Sequence, residues 1–363
     1  SRQEMRRLLF TVTNDLTYDQ RMQRICSSLA AEGYDVVLIG REKKKSLSIN
    51  QQPFEQIRIP CRFESGKLFY LEYNIKLMLL LFREKCDAIC AIDLDTALPV
   101  IIASKFKRVP WIYDAHEYFS QMEEIVTRPV IHKLWQVVER FVMKRARHAY
   151  TISDGYATLF QERYGVRFDV IRNVPRMQEL TGQLSDQGRL IYQGAVNEGR
   201  GLEIAIQCLN ESDWLKLDAY GDGPLLEILK EQAGDKVLFK GAVEPDQLKT
   251  LTPKYWCGLT LFSATGLHHK HSLANRFFDY IHAEIPQVAM NYPEYERYNN
   301  QFEVAVLIDN LTHEELRRAL ETLRDDAELY NRLKQNARKA KRALNWQNES
   351  KNLSHFYKQL FQQ

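Results

Sequence analysis

Long apolar stretches are missing from this 363-residue chain. The longest, Leu77 to Phe82, is far too short to span a bilayer. Internal repeats and low-complexity blocks are also missing, which excludes a solenoid and a compositionally disordered protein. Cysteine is sparse: Cys26, Cys61, Cys86, Cys90, Cys208 and Cys257 mostly sit in apolar runs and make no paired CxxC spacing. That pattern argues against a disulfide framework or a zinc site and suits buried thiols in a reducing compartment. No leader pattern precedes the first strand-like run, so a cytoplasmic location is expected.

Charge is nearly balanced, at +3 overall, but it is unevenly spread. Through Arg172 there are 27 basic and 21 acidic residues, and the remainder has 23 and 26. A basic first half suggests an anionic partner or surface. The length exceeds one comfortable core and predicts two domains.

The pattern along the chain is a strict alternation of short β-rich runs and helical stretches. Strands are expected at Leu8–Val12, Asp35–Gly40, Ala88–Ile92, Trp111–Tyr113 and Ala149–Ile152, with helices between them. Residues 177–188 are polar and pattern-free, and place the boundary there. Alternation restarts at Leu190–Tyr192 and runs to Ile308, and everything past Thr312 reads helical. This predicts two doubly wound α/β domains with parallel sheets, at 1–176 and 177–345. A last helix, 346–363, would return to the first domain, and the active site is expected in a cleft between the two.

Three stretches carry candidate chemistry. Gln193–Leu202 joins a strand to a helix, and its glycines, Gly194 among them, let backbone approach a phosphate at a helix start, with Arg200 adding a guanidinium. Gly221-Asp222-Gly223-Pro224 suggests a dinucleotide fingerprint but has Leu226 where the third glycine belongs, so it reads as a structural turn. His271–Pro286 reads as a helix that follows the strand-like run Gly258–Ser263 and a polar loop and precedes the strand Val288–Asn291, and its start places Asn275, Arg276 and Asp279 at the carboxyl end of a sheet, where open α/β folds bind ligands.

Taken in order, Leu190–Gly194 with Arg200-Gly201, Tyr220–Pro224, Val237–Val243 and Ser263–Pro286 resemble the donor half of retaining GT-B glycosyltransferases of family 4 (glycosyl transferases group 1), in their bacterial polysaccharide branch. The resemblance implies that Gly194, Arg200, Asn275 and Arg276 hold a donor diphosphate. Asp279 would take the ribose diol, Ala242 and Val243 the base, and His271 and Ser272 the donor sugar. Family members carry an acidic residue where His271 stands, a basic one where Ala195 stands, and glycine where Glu284 stands. Arg276 is expected to supply the charge missing at Ala195. In the first domain His116 matches a histidine that faces the reacting sugar. Asp15, Arg21, Asp93, Asp95, Asp114 and Glu117 are expected on the acceptor side, although the first loop, Thr13 to Arg21, lacks the family's glycine pair.

The resemblance further implies a UDP- or GDP-sugar as donor, a glycan or lipid-linked acceptor, no cofactor and no metal. His268, His269 and His271 lack ligand spacing. The basic stretch 128–147 reads as an amphipathic helix from Val130 to Arg147, with Leu134, Val138, Phe141 and Val142 as its apolar side, suited to a membrane surface or to an ordinary core stripe. No basic stripe interleaved with aromatics favours nucleic acid. Sugar transfer in cell-surface polysaccharide or lipopolysaccharide synthesis is the expected activity. A non-catalytic GT-B scaffold, a nucleotide-sugar epimerase and a sugar phosphorylase remain alternatives.

Overall fold

A computed structural model describes residues 5–180, 185–263, 271 and 273–362. The chain divides into two compact units, 1–173 with 349–363, and 174–348.

The first unit is a seven-stranded, wholly parallel sheet in the order β3-β2-β1-β4-β5-β6-β7. Its strands are β1 (Arg7–Thr11), β2 (Asp35–Glu42), β3 (Glu55–Pro60), β4 (Ala88–Ile92), β5 (Trp111–Ala115), β6 (Ala149–Thr151) and β7 (Asp169–Val170). The five inner strands, β2, β1, β4, β5 and β6, are largely apolar and buried on both faces, as a parallel sheet covered on both sides requires. Leu9, Ile89 and Tyr113 point to the face covered by α2 (Gly66–Arg83), α3 (Ala97–Lys107) and α5 (Pro129–Met143), a layer that follows the short α4 (Glu123–Val126) at its last member. On the other side Phe10 and Tyr150 meet Tyr357 of the C-terminal helix, Trp346–Leu360, and the Tyr150 and Tyr357 hydroxyls lie 3.0 Å apart. The helix α1 (Gln20–Ala31) follows β1, and α6 (Asp154–Tyr164) follows β6.

The second unit is a six-stranded parallel sheet in the order β10-β9-β8-β11-β12-β13. Its strands are β8 (Arg189–Gln193), β9 (Lys216–Tyr220), β10 (Val237–Gly241), β11 (Cys257–Thr260), β12 (Gln287–Met290) and β13 (Ala305–Ile308). Its helices are α7 (Leu202–Asn210), α8 (Leu226–Gln232), α9 (Pro245–Leu251), α10 (Asn275–His282), α11 (Pro293–Phe302), α12 (His313–Asp325) and α13 (Ala327–Ala343). The C-terminal helix is α14. In both sheets the strand order reverses once, between β1 and β4 and between β8 and β11. Loops diverge at such a point and leave a crevice at the strand carboxyl ends.

Two sequence expectations need correction. The helix expected over 130–147 ends at Met143, so Lys144, Arg145 and Arg147 lie beyond it. Its sides are also assigned differently. Val130, Leu134, Val137 and Phe141 form an exposed stripe, whereas Glu139 is buried and accepts a hydrogen bond from the Tyr164 hydroxyl. That hydrogen bond offsets part of the cost of burying the carboxylate. The long helices beside it repeat the pattern: α2 exposes Leu68, Leu71, Ile75 and Leu79, and α3 exposes Leu98, Ile102 and Phe106.

At the end of α10, Glu284 adopts φ 56°, in the left-handed region that favours glycine. Its carboxylate is 2.6 Å from Lys341 Nζ and 2.9 Å from Arg338 Nε. Glu284 and Lys341 are both buried. An ion pair with α13 therefore holds a glutamate in a glycine conformation. The six cysteines are free thiols, four of them buried. Among the described residues no helix is long and apolar enough to cross a membrane.

Candidate functional site

In the second unit the site is built on the ends of β8 and β11. Gly194 leaves β8 with φ 140°, and a Cβ there would lie 3.2 Å from an Arg276 Nη1. Gly221, at the end of β9, packs so closely that a Cβ would fall 1.8 Å from the Gly194 carbonyl oxygen. Gly194 N donates to Tyr220 O, Val196 N to Asp222 O and Gly221 N to Gly241 O. The Gly221–Pro224 turn is thus a structural brace for the Gly194 loop, as its missing third glycine suggested.

Arg276 enters from the first turn of α10 and is buried. One Nη donates to Leu261 O at 3.1 Å, and Nε has no hydrogen-bond partner among the described residues. Its guanidinium lies 4.9 Å from the Tyr192 ring centre and 4.3 Å from that of Phe262. Arg200 approaches the same Phe262 ring at 5.1 Å. Two guanidiniums sharing one aromatic ring beside a glycine turn make a strongly positive, rigid cradle. Tyr192 completes it by donating its hydroxyl to Ala195 O at 2.5 Å. Three residues after Arg276, Asp279 Oδ2 accepts from Gln193 Nε2 at 2.9 Å, and Thr252 Oγ1 donates to Gln193 Oε1 at 2.8 Å. This relay fixes the orientation of the Asp279 carboxylate, which is half-buried.

Asn275 opens α10 and is exposed, and His271 is half-buried. Ala242 is exposed just past β10, with Val243 beside the Tyr220–Tyr280 cluster. Ser272, His268 and His269 lie outside the described residues.

In the first unit a second cluster forms after β1, β4 and β5. Asp114, the penultimate residue of β5, is fully buried. Arg21 Nη2 donates to its Oδ1 at 3.2 Å, and His116 Nε2 lies 2.8 Å from its Oδ2. Arg21, 3 % exposed, also donates Nη1 to Ile171 O at 2.7 Å. Burial opposes a charge on His116, but Asp114 outweighs it and pulls the imidazole up to about 9. An imidazolium donates Nε2–H to Asp114, which is incompatible with Nε2 accepting from Arg21 Nε 3.1 Å away. The shared carboxylate decides in favour of the first. Nδ1 has no hydrogen-bond partner among the described residues, so the protonated ring has one donor to offer. Burial pushes the Asp114 carboxyl up, yet Arg21 and His116 hold it below the usual carboxylate range.

Asp93 has φ 60° and ψ 179°, a conformation otherwise almost confined to glycine. The strain is held by its Oδ1, which accepts from His116 N at 2.8 Å and Glu117 N at 3.3 Å. Burial raises the Asp93 carboxyl well above its ordinary value. Burial also raises Asp95, to about 6, although Thr13 Oγ1 donates to it at 2.5 Å. Half-buried carboxyls poised between acid and anion can both donate to and accept from sugar hydroxyls.

Of the residues expected here, His116, Asp93, Asp95 and Glu117 come together at the sheet edge. Asp114 and Arg21 stand behind them as supports, not as exposed contacts. Asp15 is committed elsewhere: it caps the Leu16–Tyr18 turn and accepts from Arg58 at 2.8 Å and Ser46 at 2.6 Å. Sequence reasoning missed Tyr192, Gln193, Phe262 and Thr252. Only Gln193 and Phe262 carried a signal, each lying at the end of a strand that enters the site.

Comparison with known proteins agrees with this fold. Residues 18–176 match the family model for the glycosyl transferase 4-like domain. By sequence no curated protein matches the chain. Among solved structures, a sucrose-phosphate synthase from Thermosynechococcus elongatus superposes with TM-score 0.82 at 14% identity, over 98% of this chain and 99% of that one. The Anabaena protein HepE, in complex with UDP, superposes at 0.74 with 13% identity, over 98% and 100%. WaaG, a glycosyltransferase involved in lipopolysaccharide biosynthesis, gives 0.73 with 16% identity, over 95% and 98%. The first unit thus carries a match to a glycosyl transferase 4-like domain, and the chain as a whole has the GT-B fold.

Proposed function

We propose that the protein transfers a sugar from a UDP- or GDP-sugar to a glycan or lipid-linked acceptor, with retention of configuration, in cell-surface polysaccharide or lipopolysaccharide synthesis. The observation that carries this reading is the convergence of Arg200 and Arg276 on Phe262 beside Gly194. The donor diphosphate lies against these guanidiniums and the Gly194 backbone, and their fixed charge stabilises the diphosphate as it departs. Asp279 accepts two hydrogen bonds from the ribose diol, with Gln193 and Thr252 holding it in place. The base lies at Ala242 and Val243, and the donor sugar at His271 and Ser272. HepE has been solved with UDP-glucose, which favours UDP.

His116, as an imidazolium, donates from Nδ1 to the reacting sugar. Asp93, Asp95 and Glu117 bind acceptor hydroxyls. Because two guanidiniums supply the positive charge, turnover without a divalent metal is expected. The enzyme works on the cytoplasmic side, and a lipid-linked acceptor brings it to the membrane surface through residues 128–147.

Thermal-shift and calorimetric titration with UDP-, GDP- and ADP-sugars tests the donor site, and product anomeric coupling in NMR tests retention. Failure of every nucleotide sugar to bind would leave a non-catalytic scaffold. Donor conversion without acceptor would make the protein an epimerase.

A further inference from the structure

Nineteen large apolar side chains are exposed among the described residues, and eleven of them lie on α2, α3 and α5. They are not scattered. On each helix they recur at spacings of three or four, so each helix carries a continuous outward stripe opposite the one it buries on the sheet. The helices are neighbours in one layer. The Phe82 and Phe106 rings join α2 to α3 at 5.1 Å, and Tyr70 and Trp135 join α2 to α5 at 5.8 Å. Phe106 is 75% exposed and Val130 78%. A monomeric surface seldom exposes a contiguous apolar patch this broad without a partner.

Charge identifies the partner. Residues 97–108 and 128–147 contain nine lysines and arginines and one acid, Glu139, which is buried. At the carboxyl ends of α3 and α5 a surface pocket of about 570 Å³ is lined by Lys105, Arg108, Lys144, Arg145, Arg147 and His148, with no carboxylate in its wall. Burial and Arg147 lower the His148 imidazole, as expected inside a cationic wall. Pairing two copies through this face would set like charges against each other. An anionic bilayer complements both features at once: apolar stripes enter the interface, and phosphate headgroups meet the basic pocket.

We propose that the three-helix face formed by α2, α3 and α5 docks the protein on an anionic membrane surface. This deepens the contact proposed for residues 128–147 and rests on that reading only for α5. The face spreads attachment over three helices, so attachment does not depend on one amphipathic segment.

Co-sedimentation of the full chain with vesicles of phosphatidylcholine alone, or with 30% phosphatidylglycerol, tests it. The anionic vesicles should bind at least tenfold more tightly, with the difference abolished in 0.5 M salt. I102E/F106E on α3 and L71E/I75E on α2 should each weaken binding at least tenfold, with UDP affinity and Tm unchanged. Vesicle binding lost in an α5 variant (L134E/V137E) but untouched by the α2 and α3 variants would overturn the three-helix face and leave the single-helix contact standing. Binding equal on both vesicles, or absent from both, would overturn both. Self-association in free solution that the α2 and α3 changes abolish would instead make the face a dimer contact. The salt and lipid arms use the unaltered protein, so they decide even where a variant fails to fold.

Discussion

Replacing Asp114 by Asn tests the first unit's cluster most directly. In the wild type His116 is raised from 6.5 to about 9, mainly by the carboxylate 2.8 Å away. The folded protein therefore binds this proton more tightly than the unfolded chain by about 3 kcal/mol. A folded value above the unfolded one gives stability that is fully present below pH 6.5 and lost as pH rises through 9. In Asp114→Asn only burial, the Arg21 charge and the more distant Asp93 act on the ring, and the first two push it down. The imidazole should then titrate below 6.5, and the alkaline limb of UDP release should move acidward by at least two pH units. Proton NMR of the His116 ring and the pH profile of donor turnover measure both. Urea denaturation at pH 6 and at pH 9.5 should show the stability loss in wild type and not in a His116→Gln control. Arg21 left without its carboxylate costs about 3–5 kcal/mol at every pH, which the same urea curves separate. An imidazole in the variant that still titrates above pH 8 refutes the reasoning.

Other outcomes follow from the second unit. Arg276→Ala and Arg200→Ala should each weaken UDP binding by about 10–100-fold in calorimetry, the range of charged hydrogen bonds. Affinity unchanged in Arg276→Ala removes it from the diphosphate site. Asp279→Asn should abolish the preference for UDP over its 2′,3′-dideoxy analogue, and a preference that survives assigns the ribose elsewhere. Glu284→Ala should destabilise the fold by about 3–5 kcal/mol because Lys341 stays buried without its partner. Glu284→Gly should recover about 1 kcal/mol of that by relieving the left-handed backbone, as thermal denaturation would show. Turnover should persist in EDTA, and its loss with recovery on adding magnesium would show a metal requirement.

The alternation of runs made both parallel sheets legible, and the Gly194 turn, Arg276 and Asp279, singled out in the sequence, come together at one sheet edge. Burial was harder to read. On residues 129–143 two apolar faces satisfy helical spacing, and a sequence does not say which one meets the sheet, so Leu134 and Phe141 were placed with Val138 and Val142. Arg21 looks like any first-turn arginine until Asp114, 93 positions away, closes on it. Glu284 stood out as a departure, but its reason, Lys341, is 57 residues distant. Partners this remote leave no periodic trace.

The packing of Phe356 and Tyr357 against Tyr150 sets an order of events during synthesis. The first unit's strands emerge first, yet one face of their sheet is covered by a helix translated only after all of residues 174–348. The second unit can close its core while that face still exposes aromatic side chains. A chain truncated after residue 348 should thus hold a finished second unit and a protease-sensitive first one. Non-local closure of this kind also makes the first unit the slower of the two to fold.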